Sequence, residues 1–422
     1  MTRFPIAAAA RSVALAGLVA ALPVALGAPA MAAQTAGGVT DEIGVIRVPK
    51  GTPITIGGYW VISGPDTALG TDSMRGAKVA FADHGNKIAG HPVNFIVEDD
   101  QCNAEGGQTA GTKLAANPNI VIVLGPACSS AATPAAPILW QAGITDIGTA
   151  SSAPSLTAPD RKPTYDGFIR TIPSDLGQGK ADAAWLYNKL GAKSVVAVHD
   201  GSPYAQQLAA VMAKNFTDMG GKVLSTEAVA PTDVDMHPVL TRIATEKPDA
   251  VYMPIFVAAA AQMLRQSKEV PGLDKTTFIG GGSLMAPEFI QAVGPSIVGF
   301  RIAYPDVSPS AMGKTYPKMV EEYKKMFGEA PISGYHGNAY DAAVIAIMAI
   351  EKVAKTGPDG ATYIGKKALR DAAFAAKFDG VSGPIACGEH GDCATFHPAV
   401  YEFTSSDPST FKIGTNPKQI FP

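Results

Sequence analysis

The chain is 422 residues long, 46% hydrophobic and 17% charged, with 44 Gly and 33 Pro. That length can hold more than one buried core, and the composition excludes a collagen-like or low-complexity chain, so a well-packed globular protein is expected. The net charge is −3, from 34 basic and 37 acidic side chains with no basic block, which excludes the electrostatic footprint a nucleic-acid backbone requires.

Residues 1–33 read as an export signal. Arg3 and Arg11 form a positive front, 12–27 is apolar, and Ala30, Met31 and Ala32 supply small residues for cleavage near Ala32/Ala33. An anchored membrane helix is the alternative, disfavoured by the short apolar stretch and its small-residue ending. Loss of two arginines takes the mature chain from −3 to about −5. No Cys follows the cleavage point, which argues against a lipid anchor. The next most apolar stretch, 342–350, is too short to span a bilayer. The mature protein is expected to be soluble outside the inner membrane.

From residue 54 onward, apolar runs of strand length alternate with amphipathic runs of helix length, the pattern of parallel sheets covered by helices on both faces. Strands are predicted over 54–58, 91–98, 120–124 and 144–147, with helices over 72–84, 106–117 and from Ser130 to Trp140. A second run of the same alternation begins near 171–179. It places a long helix at 180–190, strands at 194–198, 222–226, 250–254 and 277–279, and helices ending near Lys247 and Lys268. Further on, 300–304 reads as a crossing strand, 316–327, 340–355 and 366–376 as helices, and the tail through 400–403 as a hairpin. No Ser- or Gly-rich linker parts the two α/β lobes, so they should share crossing segments.

Four cysteines form two close-set pairs, Cys102 with Cys128 and Cys387 with Cys393. In an exported chain both pairs are expected as disulfides. The second pair has a rival reading, because Cys387, His390, Cys393 and His397 have a metal-ligand-like C-x2-H-x2-C-x3-H spacing of low specificity.

Catalytic signatures are scarce: the chain has no G-x-S-x-G elbow, phosphate loop, H-E-x-x-H, C-x-x-C or strand-linked G-x-G-x-x-G. His199 and Asp200 end a strand, but a turn capped by Asp200 and Ser202 accounts for them better. Small hydroxyl residues at strand ends stand out instead. Ser129 and Ser130 open a helix, and Ser151 and Ser152 follow the next strand, so hydroxyls and first-turn amides can hold a carboxylate without a cationic side chain. One such loop reads as plain capping, whereas two on neighbouring strand ends favour a ligand, since parallel sheets bind beyond those ends. Tyr204 and Phe256 end strands of the second lobe and could cover that ligand, although each alone is more often ordinary packing.

The segments ITIGGYWVISGPDTALGTDSMRGAKVAF, VEDDQCNAEGGQTAGTKL, IVIVLGPACSSAATPAAPILWQAGI, AAQMLRQSKEVPGL and GNAYDAAVIAIMAIEKV together resemble periplasmic solute-binding proteins of the branched-chain amino acid type, the receptors of ABC importers. The resemblance runs from Ile54 to about Phe403, and the placement of Cys102 and Cys128 matches a disulfide of that family. It implies an α/β fold of the type I periplasmic binding protein class: two Rossmann-like lobes joined by three hinge crossings, near 171–173, 300–304 and 383–385. Lobe 1 would take 52–171 and 304–384, and lobe 2 would take 172–303 and 385–422. By position, Ser129 and Ser152 match residues that hold the ligand carboxylate, Ala150 a carbonyl contact, Leu69 a side-chain wall, and Tyr204 and Phe256 aromatic contacts of the second lobe. Where amino acid binders of the family carry a Glu for the ligand ammonium, this chain has Gly282, followed by Ser283. An unpaired buried ammonium costs several kcal/mol. The resemblance therefore implies a small aliphatic or aromatic carboxylate or an amide, unless Asp66 or Asp200 replaces the missing charge for a branched-chain amino acid. It also implies a membrane permease as partner, no enzyme activity and no cofactor. A secreted hydrolase or amidase, and a ligand-sensing partner of a membrane signalling protein, are the alternative readings.

Overall fold

The computed structural model describes residues 33–308 and 310–422. The expected export signal lies outside these, apart from Ala33. Among the described residues no helix is long and apolar enough to cross a membrane.

The run Ile120–Leu124, all branched aliphatics, is buried throughout, and Ile54–Trp60 is buried at every position. Strands apolar on both faces belong inside a parallel sheet covered by helices. They sit at the centre of a six-stranded sheet ordered Lys87–Ile88, His91–Asp99, Ile54–Trp60, Ile120–Leu124, Asp146–Gly148, Phe168–Arg170, in which only the first pair is antiparallel. A second, seven-stranded sheet is ordered Lys222–Ala228, Ser194–His199, Ala250–Met253, Thr277–Gly280, Arg301–Pro305, Pro398–Glu402, Lys418–Phe421, with the last two strands antiparallel to their neighbours. Counted along the chain, the parallel strands of both sheets run 2-1-3-4-5. In such doubly wound sheets ligands gather beyond the carboxyl ends of the strands, where the order reverses.

Helix Thr67–Asp83 packs against His336–Val353 in the first lobe. The approach is close at Gly76, where a Cβ would lie 2.1 Å from the His336 carbonyl oxygen, so no larger residue fits. Helices Ala104–Ala116 and Ser129–Gln141 pack as a second pair, tied by the Cys102–Cys128 disulfide at their leading ends.

Several elements differ from the sequence expectation. Ahead of the elements expected from residue 54 onward, residues 34–48 hold three short strands, and Val45–Val48 joins Thr362–Gly365 and Lys355–Thr356 in a separate sheet. The helix expected at 180–190 starts earlier, at Asp175, because Ser174 caps it, and it widens into a π-turn at Trp185–Leu190. The helix expected over 340–355 is His336–Val353. The segment 300–304, expected as a crossing, is an inner strand of the second sheet, and the chain leaves that sheet only after Pro305. The return expected at 383–385 is complete only at Pro398. Before that, Gly383–Ala386 pairs with Lys377–Gly380, and Asp392 bridges Arg170 on the edge of the first sheet.

A candidate ligand cleft between the lobes

The loops at the carboxyl ends of both sheets face one another across a cavity with about 580 Å³ of empty space, its open mouth included. The first lobe contributes Leu69, Ser129, Ala150 and Ser152, and the second Tyr204, Phe256, Gly282 and Ser283. Leaving Gly282 aside, seven of the nine residues expected from the sequence to contact a ligand therefore meet in one cavity.

The other two, Ser130 and Ser151, do not line it. The Ser130 hydroxyl donates to the Cys102 carbonyl oxygen at 2.7 Å, and the Ser151 hydroxyl to that of Pro126 at 3.0 Å. Both protons serve loop geometry. Nor do the serines cap the helix: Ser129–Gln141 begins after Cys128 without any side-chain cap. The Ala131 and Ala132 amides reach the Cys128 carbonyl oxygen, at 3.1 Å each, which leaves those of Ser129 and Ser130 without an intrahelical acceptor. The Ser129 oxygen accepts the Ala153 N–H at 3.1 Å, which leaves the hydroxyl proton for a ligand. Ser283, by contrast, donates to the Ile255 carbonyl at 2.8 Å.

Asp66 and Asp200, the expected substitutes for the missing Glu, stand apart from the lining. Asp200 accepts the amides of Ser202 and Phe256 and fixes the turn at 200–202. Asp66 accepts the Val257 N–H at 3.2 Å from across the cleft, and burial pushes it up to about 6. The carboxylate that does line the cavity is Asp175, which sequence reasoning missed. It is 3% exposed and accepts the Ser152 hydroxyl at 2.9 Å, and burial pushes it up to about 7 against the pull of Ser152 and Arg170. At the start of a helix an acid reads as ordinary dipole compensation, so no local signal marks it. Beside it lies Gln178, whose Nε2 donates to Asp182 at 2.6 Å and whose Oε1 is buried without a partner. No Lys, Arg or His lines the cavity among the described residues.

Gly282 has a specific structural reason. A Cβ there would lie 2.3 Å from the Tyr304 ring and 2.9 Å from the Tyr335 hydroxyl. Two phenol rings, 5.4 Å apart and nearly perpendicular, thus fill the space a side chain at 282 would take. Tyr335 is held by Asp72, which is fully buried and accepts the amides of Tyr335 (3.0 Å) and His336 (2.9 Å), the Tyr323 hydroxyl (3.0 Å) and the His336 ring Nδ1 (2.8 Å). With Tyr204, Phe256 and Phe396, these rings make the wall facing Ser129 largely aromatic. Gln207 spans the cleft at another place: its Oε1 accepts the Ser155 N–H and its Nε2 donates to the Ser155 hydroxyl, both at 2.9 Å.

Both expected disulfides are formed, Cys102–Cys128 and Cys387–Cys393. The second uses the thiols that the rival metal reading of Cys387, His390, Cys393 and His397 would require.

Two doubly wound lobes meeting over a ligand-sized cavity have the form of a bilobed solute-binding protein. The chain belongs to the periplasmic binding protein family, whose pattern matches residues 53–400. The Leu/Ile/Val-binding protein of Escherichia coli (strain K12) is similar to it, 27% identical over 368 residues, with 83% of this chain and 90% of the relative covered. Two solved structures share the fold. The branched-chain amino acid transporter substrate binding protein LivJ from Streptococcus pneumoniae, in complex with isoleucine, has a TM-score of 0.73 at 20% identity, covering 88% of this chain and 100% of that one. A solute binding protein of an ABC transporter from R. palustris, in complex with benzoate, has 0.70 at 20% identity, covering 87% and 96%. The family is one of solute-binding proteins and not of enzymes, so the hydrolase reading falls.

Proposed function

We propose that this protein captures a small monocarboxylic acid with an apolar, ring-sized body in the interlobe cleft and delivers it to the permease of an ABC importer, after export and removal of the leader near Ala32/Ala33. The observation that carries this reading is the asymmetry of the cleft. On one side, an uncapped helix start and the free Ser129 proton suit a carboxylate. On the other, Tyr204, Phe256, Tyr304, Tyr335 and Phe396 suit a flat apolar body, and Gly282 brings no charge for an ammonium. The benzoate-bound relative has this kind of ligand. Lobe closure then follows from contacts a ligand makes with both lobes at once.

Asp175 favours a second reading, a branched-chain amino acid, because it is an acid within the cavity beside Ser152. The two readings predict opposite pH slopes. An acid without an amine stays anionic between pH 6 and 8, so ionisation of Asp175 near 7 repels it and its affinity falls as pH rises. An α-ammonium gains a counterion over the same range, and its affinity rises. Calorimetric titration of the mature protein with benzoate, 4-hydroxybenzoate, leucine and isoleucine at pH 6 and pH 8 separates them. We expect binding of the aromatic acids, tighter at pH 6. Binding confined to the amino acids and tighter at pH 8 would establish the second reading, and no binding by any of the four would refute both.

A further inference from the structure

Arg170 ends the first sheet and is fully buried. Its Nη1 donates to the carbonyl oxygens of Ser151 (3.1 Å) and Ala153 (2.8 Å), and its Nη2 to the Thr157 hydroxyl (2.6 Å). One guanidinium thus grips both sides of Ser152. Its Nε donates to Asp392 Oδ1 at 2.6 Å, and the same oxygen accepts the Thr157 hydroxyl at 3.0 Å. Asp392 lies in the short loop closed by the Cys387–Cys393 disulfide. That loop is laid against the sheet edge by the Arg170 N–H to the Gly391 carbonyl (2.8 Å), by the Cys393 N–H to the Arg170 carbonyl (3.0 Å), and by Arg161 on the His390 carbonyl. Three residues beyond Cys393, Phe396 enters the ligand cleft, packed over Gly177.

We propose that the Cys387–Cys393 loop is a positioning brace for ligand binding. It holds Asp392 against Arg170, Arg170 fixes the loop 150–153 from which Ala150 and Ser152 face the ligand, and the same segment delivers Phe396 to the opposite wall. The proposal rests on the reading of the cleft as the ligand site. Its physical basis is that a disulfide-closed loop restricts the conformations open to Asp392, and a bidentate guanidinium loses little freedom for each bond it makes. Residues 388–392, between the two cysteines, add no side chain to the hydrophobic core of either lobe; Cys393 does, so Thr157→Val serves as the variant that loosens the brace and leaves that core untouched.

The test uses the mature protein with Cys387→Ser/Cys393→Ser and, separately, Thr157→Val, which removes the hydroxyl shared by Arg170 and Asp392. Hydrogen–deuterium exchange is read on peptides covering 150–157 and, as control, on the second-sheet strand Ser194–His199. Affinity is measured for benzoate and isoleucine. We expect faster exchange at 150–157 only, with about tenfold weaker binding of whichever probe the parent protein binds for the cysteine pair and about threefold for Thr157→Val. Unchanged exchange at 150–157 in the cysteine variant, or equally faster exchange in Ser194–His199, would overturn the brace. If the parent binds neither probe, the reading of the cleft fails and the exchange data alone decide the brace.

Discussion

Four serines that look alike in sequence do three different things in the fold. Ser129 keeps a free proton in the cleft, Ser152 spends its proton on Asp175 within the cleft, and Ser130 and Ser151 stitch loops together behind it. Ser129→Ala should therefore weaken ligand binding by about tenfold, the value of one hydrogen bond to a charged acceptor. The thermal midpoint of the unliganded protein should move only slightly, since the Ala153 amide alone loses a partner. Ser130→Ala should do the reverse, lowering the midpoint while leaving affinity within about twofold. Calorimetric titration and a thermal melt on each variant check this, and equal affinity losses in both would contradict it. Gly282 belongs to the same scale. In sequence it reads as a lost carboxylate; in space it is the gap into which Tyr304 and Tyr335 have moved.

At the scale of elements, the alternation of apolar runs and amphipathic stretches was enough to place four parallel strands of each sheet, because buried parallel strands and their covering helices write their periods into local sequence, but not the fifth, Phe168–Arg170 in one and Arg301–Pro305 in the other. The loops that carry Ser129 and Ser152 were legible for a similar reason: small hydroxyl residues directly after a strand signal have few other uses. Asp175, Gln178, Tyr304, Tyr335 and Phe396 were not legible, since each reaches the cleft through tertiary placement and has an ordinary local role in its own helix, strand or loop. The early strands at 34–48 were missed because they are three or four residues long, and Val45–Val48 pairs with a segment more than three hundred residues away. Asp72 shows how an element carries function without touching ligand. It sits on helix Thr67–Asp83 and holds the start of His336–Val353, and with it Tyr335. Asp72→Ala strands several buried donors and should cost about 3 kcal/mol. The expected readout is a lower urea midpoint at unchanged slope. An unchanged midpoint would mean that the segment 332–336 is held by other contacts.

For the molecule as a whole, the buried carboxyls set the pH dependence. Burial holds Asp100, Asp175 and Asp182 up at about 7 and Asp341 at about 6, and raises Asp146 as well, all from an ordinary 3.8. The folded protein therefore takes up protons more readily than the unfolded chain. The resulting stabilisation is complete below about pH 4 and is lost as pH rises through 6 to 7. Exposed pairs such as Asp359 with Arg47, held at about 2, act in the opposite sense only at lower pH. The melting temperature should accordingly fall between pH 5 and pH 8. Asp182→Asn should recover part of that fall at pH 8 and change little at pH 5, because an amide can meet both Tyr252 and the unpartnered Gln178 oxygen without ionising. A melting temperature that rises over this interval would show that the carboxyls are hydrated in solution.

Asp66 on Val257 and Ser155 on Gln207 join the two halves directly, protein to protein. Such fastenings favour the closed arrangement of the lobes, and for a solute held only by that arrangement the apparent grip improves in proportion to the fraction closed. On the proposed transport role, each fastening that sharpens scavenging from dilute surroundings also raises competition between vacant and laden copies at the permease.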